Sequence, residues 1–462
     1  MIPVLTPAQM AEVDRTAPES SEVLIRRAAG HVARVAIEMM GGTYGKRVLI
    51  VAGPGNNGED GRVAGRLLSA RGVRVTVIEV TRDACSGTAE ATLPDSGAGQ
   101  SFDLVVDAAF GTGFRGTFDF PDVGTTPVLG VDLVSGVSGL NGLASGRPAQ
   151  ARRTVTFAAL KPGHLFGDGA ALSGTVEVVD IGLDVSSSQI HLVEDSDIPA
   201  RVPDRSREDH KWRHAVWLVA GSPGMSGAAR LSAAAAMRAG AGYVRVSSPG
   251  VESPDVPIEA VTTSLPLTGW ARAVTDGVDR FAVVTVGPGL GLEDATRREV
   301  RELASADGFT LVIDGDGLTA LGVEAGEILA GRRSPTILTP HDGEYERIVG
   351  EPPGVDRIAA AQRLADRCGA VVLLKGSTTV VADPDGQVLL TNTGDSRLAT
   401  AGTGDVLTGI ISAYVALGSE PLWAAAAGAH IHGRAASLGH ERGLVASDVV
   451  DQIPAAREAV AK

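Results

Sequence analysis

The chain is poor in several residue types, and each shortage removes a class of protein. Only two cysteines, Cys85 and Cys368, occur in 462 residues, and they stand far apart. That is too few for a disulfide-built domain, and no Cys-x-x-Cys or histidine-rich cluster offers a zinc site. Both read as buried or incidental. Aromatic residues make up 4%, and Trp212, Trp217, Trp270 and Trp423 share no spacing. They read as core or surface anchors rather than as a stacking platform. No arginine-rich stripe interleaves with them, which argues against nucleic acid. Basic charge is also in deficit: the net charge of −14 disfavours nucleic acid and anionic membrane alike. Nucleotide ligands stay open, because local backbone N–H groups and a few cations hold them whatever the global charge. Apolar runs are short or broken by glycine and charge, so no membrane span is expected. The start, Met1 to Pro7, has neither a basic flank nor an apolar core. No signal peptide is expected there, and the cytoplasm is the default location. No Walker A sequence is present, which excludes a P-loop enzyme.

What remains is ordinary for a globular enzyme, with 44% hydrophobic and 21% charged residues. The length suits two large domains with separate cores. Apolar runs at 47–52, 73–80, 104–108, 128–132 and 154–157 read as buried strands. So do those at 215–220, 243–247, 282–286, 310–313, 336–338 and 371–374. Alanine-rich amphipathic runs at 28–40, 60–70, 228–239, 356–367 and 404–416 read as helices. This alternation predicts α/β architecture with parallel sheets. Residues 198–206 are polar and punctuated by proline, so we expect domains at 1–190 and 211–462 joined by a connection at 191–210.

In the first domain, Gly53-Pro54-Gly55-Asn56-Asn57-Gly58-Glu59-Asp60-Gly61 follows a strand and opens a helix. Such glycines allow close approach to a ligand, and the helix N-terminus favours an anion. A plain βα turn has the same appearance. Asp107 to Gly116 and Val131 to Gly136 follow two other strands, at the edge where open α/β sheets bind ligands. Taken singly, each aspartate there reads equally as a helix cap.

These loops resemble the YjeF N-terminal domain, the NAD(P)H-hydrate epimerases, over residues 6 to about 183. Leu5-Thr6-Pro7-Ala8-Gln9-Met10, Ala159-Leu160-Lys161-Pro162-Gly163 and Asp180-Ile181-Gly182-Leu183 carry the resemblance further. It implies a Rossmann-like three-layer αβα sandwich. It implies that Asn56, Asn57, Gly58, Glu59 and Asp60, with Gly111, Thr112, Gly113, Phe114, Arg115, Gly116 and Thr117, hold the substrate. Asp132 would lie beside the reacting ring and act in catalysis. Asn57, Asp107 and Ser135 would give oxygens to K+. Two positions depart from the family pattern. Glu59 stands where a glycine is usual, and Leu133-Val134 replace Ile-Pro. A glutamate there is expected to repel a pyrophosphate, and loss of the proline to loosen the loop.

In the second domain nearly every strand ends in a polar, glycine-rich loop, as in a site assembled from many loops. Thr400-Ala401-Gly402-Thr403-Gly404-Asp405 carries the most information. A small-residue turn at a helix N-terminus stabilises transferring phosphates, and an aspartate there can take a proton from an attacked hydroxyl. The plain reading makes Asp405 a helix cap. His341 lies between a strand end and Gly343-Glu344, where a ligand contact and a structural role both fit. Lys375 reads as a phosphate contact or as a solvated lysine.

The turn resembles the ribokinase-like superfamily. The whole set, over about 208–455, resembles its ADP/ATP-dependent NAD(P)H-hydrate dehydratases. The resemblance implies a ribokinase-like αβα fold in which Ala228, Gly289, His341, Asp342, Gly343, Glu344, Tyr345, Glu346 and Arg347 contact the hydrated cofactor. Lys375, Gly376, Ser377, Thr378 and Thr379 would contact the nucleotide, as would Asp395, Ser396, Arg397, Leu398, Ala399, Thr400, Ala401, Gly402, Thr403 and Gly404. Asp405 would be the catalytic base. The expected partners are hydrated NADH and NADPH with ADP or ATP, the cofactors Mg2+ and K+, and the assembly a homo-oligomer. Two alternatives remain at this point. One is a vitamin or sugar kinase fused to a binding domain. The other makes the first domain a non-catalytic nicotinamide-nucleotide sensor.

Overall fold

The structure is a computed structural model that describes residues 1–82, 89–93 and 101–461. Cys85 therefore lies outside the described residues. The chain divides into two compact units, Ile2–Gln189 and a second beginning at Ile190.

The first unit is built on a six-stranded sheet. Its strands are β1 (Arg47–Ala52), β2 (Arg74–Glu79), β3 (Leu104–Ala108), β4 (Val128–Val131), β5 (Arg153–Phe157) and β6 (Thr175–Val179). They lie in the order β6-β5-β4-β3-β1-β2, all parallel. Alternate residues of β1 serve opposite faces, as strand geometry requires. Val48, Ile50 and Ala52 pack with Val32, Val35 and Ala64, which come from α2 (Ser21–Met40) and α3 (Asn56–Ser69). Leu49 and Val51 pack with Ala89, Phe118 and Phe120, beside a small four-stranded sheet. A shorter helix, α1 (Pro7–Thr16), starts at Thr6, whose hydroxyl accepts from the Gln9 N–H in a capping box. The expected strands are present, with ends moved by a residue or two. β6 was not expected, because its alternating, half-buried sequence lacks a continuous apolar run.

The second unit has strands β7 (Ile190–Leu192), β8 (Ala215–Val219), β9 (Tyr243–Ser247), β10 (Val261–Thr262), β11 (Val283–Val286), β12 (Thr310–Ile313), β13 (Thr336–Leu338), β14 (Val371–Leu374), β15 (Thr379–Ala382) and β16 (Val388–Thr391). Their order is β7-β16-β15-β14-β13-β12-β11-β8-β9-β10. Neighbours are parallel except that β15 runs antiparallel to both β14 and β16. One face carries the apolar cluster that joins Val216, Leu218, Val283 and Val312 to α4 (Ser226–Arg238), α8 (Thr403–Leu417), α9 (Pro421–Leu438) and α10 (Ala446–Val460). The intervening residues Trp217, Val219, Val284 and Val286 are buried as well. Helices α5 (Asp294–Ser305), α6 (Asp342–Val349) and α7 (Arg357–Cys368) also belong to the unit, beside several shorter ones, with α7 against β14 and β15.

Residues 191–210, read from sequence as a connection, belong to this second unit. β7 pairs with β16, and Val193, Ile198 and Val202 enter the large apolar cluster. Their prolines and charges border these apolar positions and masked them. Among the described residues no helix is long and apolar enough to cross a membrane.

Candidate functional site

In each sheet the chain reverses its direction of travel once, leaving a crevice at the C-terminal ends of two adjacent strands. In the first unit those strands are β1 and β3. Two glycines close the loops onto each other. A Cβ at Gly53 would stand 1.8 Å from the Ala109 carbonyl oxygen, and one at Gly58 would stand 1.9 Å from that of Gly53. The start of α3 is thus pressed into the crevice. A cleft of about 640 Å3 opens there, lined by Asn56, Asn57, Asp60, Gly111 to Arg115 and Asp132. Gly58, Glu59, Gly116 and Thr117 do not line it. Gly58 is consumed by the close approach, and Thr117 shares a hydrogen bond with Ser145 at 3.2 Å. Glu59 is drawn away by Arg66 (2.9 Å) and Arg62 (3.4 Å), whose charges hold its carboxyl below the usual range. The two arginines thus offset the negative charge expected to repel a pyrophosphate.

Asp132 is the most constrained side chain of the cleft. It follows β4 with φ at +65°, a left-handed conformation rare for residues other than glycine. Its Oδ1 accepts from Lys161 Nζ at 2.6 Å and from the Thr156 hydroxyl at 3.1 Å, and its Oδ2 accepts from the Thr112 N–H at 3.2 Å. Burial opposes its charge, but Lys161 outweighs this and holds the carboxyl below its ordinary value. Lys161 is itself 1% exposed and also reaches Thr156 and Phe157. His164 locks the backbone: its Nδ1 accepts from the Lys161 N–H at 3.0 Å, so its Nε2 donates to the Asp132 carbonyl at 2.7 Å. Burial, then the Lys161 charge, lowers this imidazole to about 4, so it is neutral. Sequence reasoning singled out neither Lys161 nor His164 as part of the site. It also passed over Asp14, which lines the cleft and is pushed up by burial.

The oxygens expected around K+ sit close to this cleft. Asp107 is fully buried and accepts from the Ser135 hydroxyl at 2.6 Å and the Ser135 N–H at 2.9 Å. Burial raises its carboxyl to about 6. The Asn57 side-chain oxygen is buried with no hydrogen-bond partner. The Asn57 amide nitrogen is likewise without a partner, so this amide, like Asp107 and Ser135, carries oxygen of the type a hard monovalent cation takes.

In the second unit the crevice lies between β8 and β11. Its loops interlock, with the Gly221 N–H donating to the Pro288 carbonyl at 2.7 Å. Ala228 and Gly289 meet there: a Cβ on Gly289 would lie 3.0 Å from the Ala228 methyl. Further along the same edge, β12 ends at Asp314, whose carboxylate is fully used. Oδ1 accepts from Lys375 Nζ at 2.6 Å and the Thr339 hydroxyl at 2.7 Å, and Oδ2 accepts from the Thr408 hydroxyl at 2.7 Å. Lys375, read from sequence as a phosphate contact or a solvated lysine, is therefore paired to Asp314. Burial alone would lower its ammonium, but Asp314 and Glu344 hold it raised.

Asp405 occupies the first turn of α8. Gly402 precedes that helix with φ at +89°, and the Thr403 hydroxyl ties the turn by donating to the Leu398 (2.7 Å) and Thr400 (2.8 Å) carbonyls. Burial first, then the charge of Asp314, raises the Asp405 carboxyl to about 6. Asp395 caps the turn before it and pairs with Arg397 at 2.7 Å.

His341 caps α6. Its Nδ1 accepts from the Gly343 N–H at 3.0 Å, and Glu344 returns the bond by accepting the His341 N–H at 2.9 Å. Glu344 is buried, which raises its carboxyl to about 7. Asp342, Glu346 and Arg347 are exposed. Tyr345, expected at the ligand, is 1% exposed and donates to the Ala360 carbonyl. Helical spacing turns Tyr345 and Glu344 inward while Asp342, Glu346 and Arg347 face outward.

A family model described as NAD(P)H-hydrate dehydratase matches residues 216–455. One described as the YjeF-related protein N-terminus matches residues 21–163. A bifunctional NAD(P)H-hydrate repair enzyme of Moorella thermoacetica is 36% identical, over 98% of this chain and 96% of that protein. Among solved structures, the ADP/ATP-dependent NAD(P)H-hydrate dehydratase from Bacillus subtilis, co-crystallised with ATP/Mg2+, matches with a TM-score of 0.51 at 30% identity. It covers 58% of this chain and 97% of that one. A ribokinase-like superfamily protein from Enterococcus faecalis matches in fold, with a TM-score of 0.52 at 21% identity over 59% of this chain and 96% of that one. With two family models side by side and a relative matched end to end, the chain belongs to the family of bifunctional NAD(P)H-hydrate repair enzymes.

Proposed function

We propose that the first unit interconverts the R and S forms of hydrated NADH and NADPH, and that the second returns the S form to the reduced cofactor at the expense of ADP or ATP. The observation that carries the second half is Asp405. It is a carboxyl at a helix N-terminus, facing the Lys375–Asp314 pair and titrating near 6. A base with that value is ionised at neutral pH yet still avid for a proton. Asp405 takes the proton of the ring hydroxyl as its oxygen attacks the terminal phosphorus of the nucleotide, and the shortened nucleotide departs. Hydroxide is a poor leaving group and phosphate a good one. The ring nitrogen's lone pair then expels phosphate, and loss of the neighbouring carbon's proton restores the ring double bond. The N–H groups opening α8 would receive the transferring phosphoryl. Among the described residues, no cluster of three His, Cys, Asp or Glu side chains could hold a metal. Mg2+ would enter with the nucleotide phosphates, where it spreads charge.

In the first unit, Asp132 beside the cleft supports the epimerase reading. Asn57, Asp107 and Ser135 would hold K+, whose charge would offset the buried carboxylate and steady the loops around the cleft.

The test is the return of NADH absorbance from a purified R/S hydrate mixture with ADP or ATP, Mg2+ and K+. Wild type should restore all the NADH faster than spontaneous epimerisation allows, and Asp405→Asn should restore none. Rapid return of the S fraction alone would reduce the first unit to a binding module. No return with either nucleotide would point instead to a small-molecule kinase.

A further inference from the structure

Two carboxyls of the first unit's cleft, Asp14 and Asp60, are given no chemical step in the account above. Asp60 stands near the start of α3, 7% exposed, and lines the same cleft as Asp132. Its Oδ1 is buried and has no hydrogen-bond partner. A buried carboxyl is costly to ionise without partners, and one kept for structure is normally hydrogen-bonded. Asp132 is its opposite, with Lys161, Thr156 and Thr112 all donating to it.

We propose that Asp60 is the proton donor and Asp132 the proton acceptor in a two-carboxyl epimerisation at the hydroxyl-bearing ring carbon, an inference that rests on the epimerase reading of this unit. The division of labour follows from what each group faces. Asp132 faces the Lys161 cation and the neutral His164. Asp60 feels acids: Asp132 in the same cleft, Glu59 on its own helix and Asp14 from α1. Arg115 also lines the cleft. Burial, then those charges, pushes Asp60 up to about 8, so it carries its proton at neutral pH while Asp132 does not. Two carboxyls pushed apart by their surroundings are the usual sign of an acid and a base sharing one site.

The step balances without oxidant or reductant. Asp60 protonates the ring hydroxyl. The carbon–oxygen bond breaks as the ring nitrogen's lone pair forms a carbon–nitrogen double bond, and water is released. Water adds to the other face of the now planar carbon and gives a proton to Asp132, while the electron pair returns to nitrogen. The product is the opposite epimer. The proton now rests on Asp132, and exchange with solvent resets the pair.

The test uses the full-length chain and the separated R hydrate of NADH, with both epimers followed by chromatography above the spontaneous rate. Asp60→Asn should lower kcat by about 10²–10⁴-fold, the usual worth of a general acid, with KM little changed. The wild-type rate should fall as pH rises through about 8, where Asp60 loses its proton. An Asp60→Asn rate within about threefold of wild type would overturn the assignment, as would a wild-type rate that stays flat across that pH range. If melting shows Asp60→Asn unfolded, Asp60→Glu decides: it must keep a slower activity with the same alkaline fall, and loss of the fall overturns the proposal. A wild type that does not epimerise at all removes the reading beneath it, a result distinct from an active wild type indifferent to residue 60.

Discussion

As the proposed base Asp405 must be ionised to act, and burial and Asp314 raise its carboxyl to about 6. The dehydratase rate should therefore rise with pH through about 6 and then level, about tenfold per unit on the acid side. A single-turnover pH profile checks this, and a midpoint near the ordinary carboxylate value would contradict the environment described. The same shift makes a statement about stability. A carboxyl that titrates later in the folded chain than in the unfolded one is destabilising once ionised. The loss accrues as pH rises from the unfolded value to about 6 and persists above it. Asp405→Asn should accordingly melt higher than wild type at pH 7 while losing activity, the usual trade at a functional site. The positions of Asp132, directly after an apolar strand, and of Asp405, in a small-residue turn opening α8, were legible in the sequence. Lys161 was quoted only as part of a family string. Nothing local marks a lysine that folds back 29 residues to meet Asp132 in the interior. Asp314 was likewise seen as a motif, but not as the anion that would claim Lys375.

At the scale of the element, α8 brings Asp405 into place by its fit against α4. A Cβ added at Gly409 would stand 2.3 Å from the Ser232 carbonyl oxygen and 2.8 Å from the Ala235 methyl. The Ser232 hydroxyl donates to the Asp405 carbonyl at 3.0 Å, so the same contact carries the base. Gly409→Ala should push the helices apart, cost about 1–3 kcal/mol in urea unfolding, and lower dehydratase turnover. Unchanged stability would mean that the helices part at no cost. Strands with unbroken apolar runs, such as β8 and β14, were readable because parallel strands are buried on both faces. The antiparallel pair β15 and β16 was missed, although Asp383-Pro384-Asp385-Gly386 between them is a turn sequence in its own right. Helix α9 lacked the one-sided pattern because it buries residues all round, from Leu422 to Ala436, whereas α10 buries one face, at Ala446, Val449, Val450, Ile453, Ala456 and Val460, and was passed over despite that spacing.

At the scale of the molecule, each unit has its own apolar cluster and its own crevice. Disabling one site should spare the other. Asp132→Asn should leave the S fraction of a hydrate mixture returning at the wild-type rate, with the R fraction slowed to the spontaneous pace. A matching loss in the S fraction would show that residue 132 matters to both. The division into two α/β units was readable in the alternation of strand and helix. The end of the first unit was readable as well, at residue 190 against Gln189 in the structure; the membership of 191–210 in the second unit was not, because β7 is only three residues long. One detail of the second unit has a practical use. Cys368, in the last turn of α7, is 4% exposed, and burial pushes its thiol up to about 11. It is thus shielded and un-ionised, so a thiol-reactive dye should reach it only when α7 lifts from the sheet. In a Cys85→Ser background, the rate of labelling at residue 368 would serve as a built-in clock for the opening of the nucleotide-binding half. Slower labelling on adding ADP would then measure how far co-substrate holds that half shut.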